Sequence, residues 1–291
     1  MGKSDMERYR PSRRRESWIS HFILCVGVVV FAFPIYFALI GSTHEAATIA
    51  TGRMPLLPGG HMLDNYWQAL TSGSGARVSS TPVRTLMLNS LVMALVIALG
   101  KIAISIISAY AVTFFAFPGR MFFFWMIFVT LMLPVEVRII PTYKVVTDLG
   151  MINTFSGLTI PLIASATATL LFRQVFLTLP DELVEAAKID GAGPLRFFWQ
   201  MVLPLSRTNI AALFVILFIY GWNQYLWPLL ITTNRSMETI IIGIVKMIGS
   251  SDAQTDWNLI MATAILAMLP PVAVVVFLQH WFVKGLVETE K

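Results

Sequence analysis

Residues 18–40, WISHFILCVGVVVFAFPIYFALI, run for 23 positions without an Asp, Glu, Lys or Arg. At about 1.5 Å of rise per residue, a helix of that length spans the roughly 30 Å hydrocarbon core of a bilayer. Lys3, Arg8, Arg10, Arg13, Arg14 and Arg15 stand just ahead of it. A basic start before an apolar run imitates a cleavable signal peptide. This run is too long for one and shows no small-x-small cleavage site, so it is expected to be a retained first span. Cys25, the single cysteine, lies inside it, which rules out an intrachain disulfide.

The same pattern recurs along the chain. After a polar segment from Ser42 to about Thr85, rich in Gly and Pro, apolar runs predict further spans at about 86–115, 121–140, 155–176, 209–232 and 259–283. Phe117-Pro118-Gly119-Arg120 predicts a tight turn between the second and third. Pro134, Pro161, Pro228 and Pro270-Pro271 are expected to kink the spans in or near which they sit. The expected fold class is all-α: a polytopic membrane protein with about six transmembrane helices over residues 18–283, between tails at 1–17 and 284–291. Bulk composition agrees, because 56% hydrophobic and 13% charged residues with a mean hydropathy of +0.73 do not make a water-facing surface.

Six spans place both termini on one side. With that side taken as the cytoplasm, inside segments carry about thirteen Lys and Arg and outside segments about seven, as the positive-inside rule requires. The net charge of +5 is therefore a topology signal and implies no nucleic-acid partner. Enzyme chemistry is not indicated. His21, His44, His61 and His280 lack metal-ligand spacing, and Gly2-Lys3-Ser4 lacks the glycine loop that must precede it in an ATP site. Neither a catalytic group nor a metal or cofactor site is expected in this chain.

Residues 179–207, on the same side as the termini, are too ordered in pattern for a plain connector. Pro180, Asp181 and Glu182 suit a first helical turn, and Glu185-Ala186-Ala187-Lys188-Ile189 forms its body. Gly191 and Gly193 break the helix, Pro194 starts a second, and Leu203-Pro204 ends it. The expected shape is two short helices with an Ala-Ala surface, suited to a groove in another protein or, more simply, to a surface loop. Met237–Ile248 alternates like a helix lying in the membrane interface.

Glu185, Ala186, Ala187, Gly191, Leu203 and Pro204, at these spacings, resemble the EAA loop of permease subunits of bacterial ATP-binding-cassette importers. Asn89-Ser90-Leu91, Ser108-Ala109-Tyr110-Ala111 and Trp222-Asn223-Gln224-Tyr225-Leu226-Trp227-Pro228 are similar to landmarks of the carbohydrate-type (type I) branch. Met201 departs from the usual isoleucine, a swap of similar apolar volume. The segment from Ile248 to Pro271 and the tail Val283–Glu290 are similar to glycerol-3-phosphate importers within that branch, with a maltose-type oligosaccharide as the alternative cargo.

The resemblance implies a bacterial inner-membrane subunit in contact with lipid, with several partners. These are a second, different permease, two ATPase copies that bind ATP and Mg, and a periplasmic solute-binding protein. Glu185 would tether the ATPase and Gly191 would hinge the loop. A secondary transporter or channel subunit is the rival class, though no internal repeat supports it.

Polar residues within spans are the candidates for the substrate pathway: Lys101, Asn223, Gln224, Trp227, Asn89 and Arg138. Lys101 is placed to meet a phosphate, to pair with a carboxylate of the partner permease, or to sit at a helix offset. Arg138 and Glu136 could pair with each other or sit at the interface, and Arg138 and Arg235 could steer a phosphate or, more simply, be solvated loop charges. Asn223, Gln224 and Trp227 could hydrogen-bond a polyol or join helices.

Overall fold

The computed structural model describes residues 13–52, 54–73, 81–130, 135–249 and 255–287. Lys3, Arg8, Arg10, Arg53, Gly75, Arg77, Pro134 and the closing 288–291 lie outside the described residues, as do the side chains of Arg13, Arg14, Arg15, Glu136 and Lys284. The described residues form helices and connectors, with no strand among them. In chain order the α-helices are α1 (Arg13–Gly41), α2 (Ala46–Ala50), α3 (Met62–Ser72), α4 (Val83–Phe114), α5 (Arg120–Val129), α6 (Val135–Asp148), α7 (Phe155–Thr159) and α8 (Ala166–Leu177). They continue with α9 (Asp181–Ile189), α10 (Pro194–Phe197), α11 (Leu203–Leu205), α12 (Arg207–Trp222), α13 (Leu226–Ile231), α14 (Ile240–Gly249) and α15 (Trp257–Val287).

Three helices are long and apolar enough to cross a membrane, over Trp18–Gly41, Val83–Phe114 and Trp257–Trp281. Counted as one span each, two bent pairs raise the number among the described residues to at most five: Phe155–Leu162 with Ala166–Leu177 at 48°, and Pro194–Leu205 with Arg207–Trp222 at 71°. The third span expected from the sequence falls on α5 and α6, with 131–134 between them outside the described residues. The fourth and fifth are not the single helices expected. Residues 163–165 interrupt one, and the other stops at Trp222 and resumes as α13.

Local chemistry explains the first interruption. Thr154 and Ser165 each cap a helix start, their hydroxyls accepting from Gly157 N at 3.1 Å and Ala168 N at 3.3 Å. Pro34 and Pro270-Pro271 instead sit inside the unbroken helices α1 and α15. Gly119, at φ +82°, supplies the left-handed step by which the chain leaves α4 and enters α5.

The core is built around α4, which packs against α8 and α12, while α15 packs on α12. Leu86, Ala94, Ala98 and Ala109 give α4 a fully buried face of mostly small residues. Where α12 crosses it, a Cβ on Gly221 would stand 2.9 Å from Ala94 Cα and 3.3 Å from its carbonyl oxygen. Such close backbone approach is how helices associate where lipid supplies no hydrophobic drive. Gly221→Val is therefore expected to destabilise the fold by about 1–3 kcal/mol, with Gly221→Ala intermediate. The check is the melting temperature of purified protein, and an unchanged value for the valine variant would refute the crossing.

Candidate functional site

The 179–207 loop is closed by backbone geometry. Pro180 holds the extended conformation ahead of α9, Asp181 and Glu182 occupy its first turn and Lys188 its last, each complementing the helix dipole. At its end Gly191 takes φ +69°. Gly191 N donates to Lys188 O at 3.1 Å and Ala192 N to Ala187 O at 2.8 Å, the paired bonds of a Schellman closure.

The second half is one helical segment from Pro194 to Leu205, not a helix ended at Leu203-Pro204 as the sequence suggested. Between α10 and α11 it contains a π turn, Phe198–Val202. Pro204 has no N–H to give and its ring crowds the carbonyl four residues back, so the widened turn falls just before it. The 71° change of direction follows at buried Ser206, whose hydroxyl donates to Val202 O at 2.7 Å.

The loop's inward side is bound to the body. The Tyr110 hydroxyl, on α4, donates to Pro194 O at 2.8 Å, and its ring stands 5.0 Å from that of Phe198. Phe114 meets Phe197 at 5.5 Å and Phe176 of α8 at 5.9 Å. Ala187 is buried in the same cluster. The expected Ala-Ala surface is thus divided: successive helical residues lie about 100° apart, so Ala187 seats the helix while Ala186 and Glu185 face out. Beside them Ile189 (86% exposed), Leu195 and Trp199 are bare. Trp199 and Leu195 were not singled out as docking residues in the sequence, nor was Tyr110 as a brace. Their positions depend on how two short helices fold back on α4.

A second site lies within the helices. Lys101, Arg138, Gln224 and Trp227, from α4, α6, the 223–225 break and α13, line one cavity of about 120 Å³. Thr142 and Tyr220, which sequence reading passed over, line it too. The Lys101 ammonium sits 3.8 Å from the centre of the Tyr220 ring, a cation–π contact. Gln224 donates to Tyr220 O at 3.1 Å, and Trp227 Nε1 donates to Gly157 O at 3.1 Å, which fixes the indole. Asn223 is exposed and does not line the cavity. Asn89 is a clamp elsewhere, donating to Ser236 O at 2.8 Å and Glu238 O at 2.9 Å.

The molecule is thus a bundle of apolar helices long enough to span a membrane, with a braced loop of exposed apolar and acidic residues and polar residues gathered at helix breaks. Residues 90–288 match the family described as "Binding-protein-dependent transport system inner membrane component", and the chain belongs to that family. It is similar to the sn-glycerol-3-phosphate transport system permease proteins of Brucella melitensis and Rhizobium meliloti, each 61% identical over 273 residues, 94% of this chain and 96% of theirs. The corresponding protein of Yersinia pestis is 54% identical over 280 residues, 96% of this chain and 99% of its own. Among solved structures, a bacterial ABC transporter involved in import of the acidic polysaccharide alginate superposes with a TM-score of 0.81 at 20% identity. The match covers 94% of this chain and 99% of that one, so the fold is that of an ABC importer permease.

Proposed function

We propose that this chain is one of two different permease subunits of a bacterial inner-membrane importer of glycerol-3-phosphate. Its termini face the cytoplasm, two ATPase copies engage the 179–207 loops, and a periplasmic binding protein delivers the solute. The similarity to sn-glycerol-3-phosphate transport system permease proteins supports the cargo. The mechanism rests on one observation: Glu185, Ile189, Leu195 and Trp199 are exposed on a loop whose other side is bound to α4 and α8 by Tyr110, Phe114 and Phe176.

ATP and Mg, bound by the partner ATPases, supply the energy. Within this chain Glu185 offers a charged tether beside apolar side chains that lose water on docking. A displacement of the loop passes through the Tyr110–Pro194 bond to α4 and through the Ser206 turn to α12. Alternating access is then rocking of these helices around the cavity between them.

Glu185→Ala is expected to lower binding-protein-stimulated ATP hydrolysis and uptake by roughly 10-fold, the loss of one charge-assisted contact of about 1.5 kcal/mol, at normal membrane levels. The decisive assay reconstitutes the chain with a partner permease and ATPase and adds binding protein loaded with glycerol-3-phosphate or maltose. Stimulation by glycerol-3-phosphate alone is the expected result. Stimulation by maltose alone would keep the class and sink the cargo, and no association with any ATPase would favour a channel or secondary transporter.

A further inference from the structure

Lys101 lies near the middle of the 32-residue helix α4 and is only 7% exposed. No carboxylate pairs with it among the described residues, where the ion pairs are Glu45–His61 and Glu238–Lys246. An intramembrane ammonium costs about 2.5–3.5 kcal/mol on insertion scales, so such residues normally mark a pathway or have a counter-charge. Here the second charged side chain at the cavity is another cation, Arg138. The breaks at 163–165 and 223–225 open there as well, through Ala164 and Gln224. Irregular backbone at membrane depth is tolerated where it lines a cavity, and transporters place solutes at such breaks.

Two cations, the buried Lys101 and the exposed Arg138, line this cavity beside two helix breaks, with no carboxylate among its lining residues. We propose that Lys101 and Arg138 form a phosphate-binding subsite in the translocation pathway, with Tyr220 holding the ammonium in place and Gln224 beside it. The inference rests on the import reading above and adds the residues that recognise the charged end of the solute. A phosphate monoester brings about −1.5 to −2 charges at neutral pH and three acceptor oxygens. Lysine offers three N–H donors and arginine five. At about 120 Å³ the cavity is well below the 300–1,000 Å³ typical of whole-ligand pockets. It therefore takes the phosphate end and not the whole solute.

The test uses the assembled complex in nanodiscs of zwitterionic lipid, trapped with vanadate after mixing with binding protein carrying radiolabelled glycerol-3-phosphate. Retained label is counted per complex, with inorganic phosphate and glycerol as competitors. Wild type should retain label that phosphate displaces and glycerol does not. Lys101→Gln and Arg138→Gln should each lower retention by roughly 10-fold or more, as expected for a lost charge-assisted contact, and Lys101→Arg should restore most of it. Two glutamine variants that both retain label like wild type would overturn the subsite, as would displacement by glycerol. Displacement of the label by anionic lipid would reassign the cations to a lipid headgroup and overturn the proposal too. If the loaded binding protein does not stimulate ATP hydrolysis by wild type, the import reading itself fails. Stimulation with unaltered retention in both variants sinks the subsite alone.

Discussion

Gly191→Pro is expected to abolish coupling, with stimulated ATP hydrolysis and uptake down about 100-fold or more, while the protein still reaches the membrane. Proline fixes φ near −65°, and the native value is +69°. The substitution also deletes the Gly191 N–H donated to Lys188 O, and turning the backbone separates Ala192 N from Ala187 O. Three effects thus act together, a forbidden dihedral and two lost bonds, which together exceed roughly 3 kcal/mol. Ala187 then loses the closure that seats it, and Glu185 and Ile189 no longer present a fixed face. Space is not the obstacle, since a Cβ at Gly191 meets nothing within 4 Å. Gly191→Ala therefore carries only the left-handed penalty of about 1–2 kcal/mol, and Gly191→Asn, a residue that visits this region, less. The predicted order of transport is Asn above Ala above Pro, measured at equal membrane abundance. A proline variant as active as the alanine one would show that the closure does not matter for coupling.

What the sequence made legible was local. The run 18–40, the turn at Gly119 and the Glu185-to-Gly191 spacing each carry their information within about ten to twenty neighbouring residues, and apolar length or a single glycine is enough to read them. The breaks at 163–165 and 223–225 were hidden because an apolar window averages over so few residues, Ile163-Ala164-Ser165 and Asn223-Gln224-Tyr225. The signals were present: Ser165 three residues ahead of Ala168, and Asn223-Gln224 ahead of Leu226-Trp227-Pro228. The cavity was out of reach in principle. Lys101, Arg138, Gln224 and Trp227 could each be suspected for polarity within a span, but their meeting depends on how α4, α6, α12 and α13 pack. Asn89, suspected on the same ground, serves instead to hold the turn before α14. The family resemblance identified the loop's six motif residues, yet not that Ala187 faces inward or that Trp199 faces out.

Lys246→Met should be among the most destabilising single changes on the segment that Asn89 holds. Asn89 and Ser90 fasten residues 236–240 to α4, Ser90 Oγ accepting from Ile240 N at 2.8 Å. Glu238 is carried into this joint with its side chain 1% exposed, and the Lys246 ammonium reaches Oε1 at 2.6 Å. The other carboxylate oxygen, Oε2, has no hydrogen-bond partner among the described residues, so Lys246 is the carboxylate's principal compensation. The helix read as interfacial packs inward as well: Ile240 and Ile242 are buried, and a Cβ on Gly243 would strike Leu86 Cδ1. Breaking a buried pair by removing one partner costs about 3–5 kcal/mol. With the Lys246 side chain 44% exposed, the low end, about 3 kcal/mol, is expected here. The distinguishing variant is Glu238→Gln combined with Lys246→Met, which removes both charges and should recover at least half of the lost stability. Melting of the purified protein in detergent checks both. If Lys246→Met melts with wild type, the pair behaves as a surface ion pair worth under about 1 kcal/mol, and the joint between α4 and α14 rests on Asn89 and Ser90 alone.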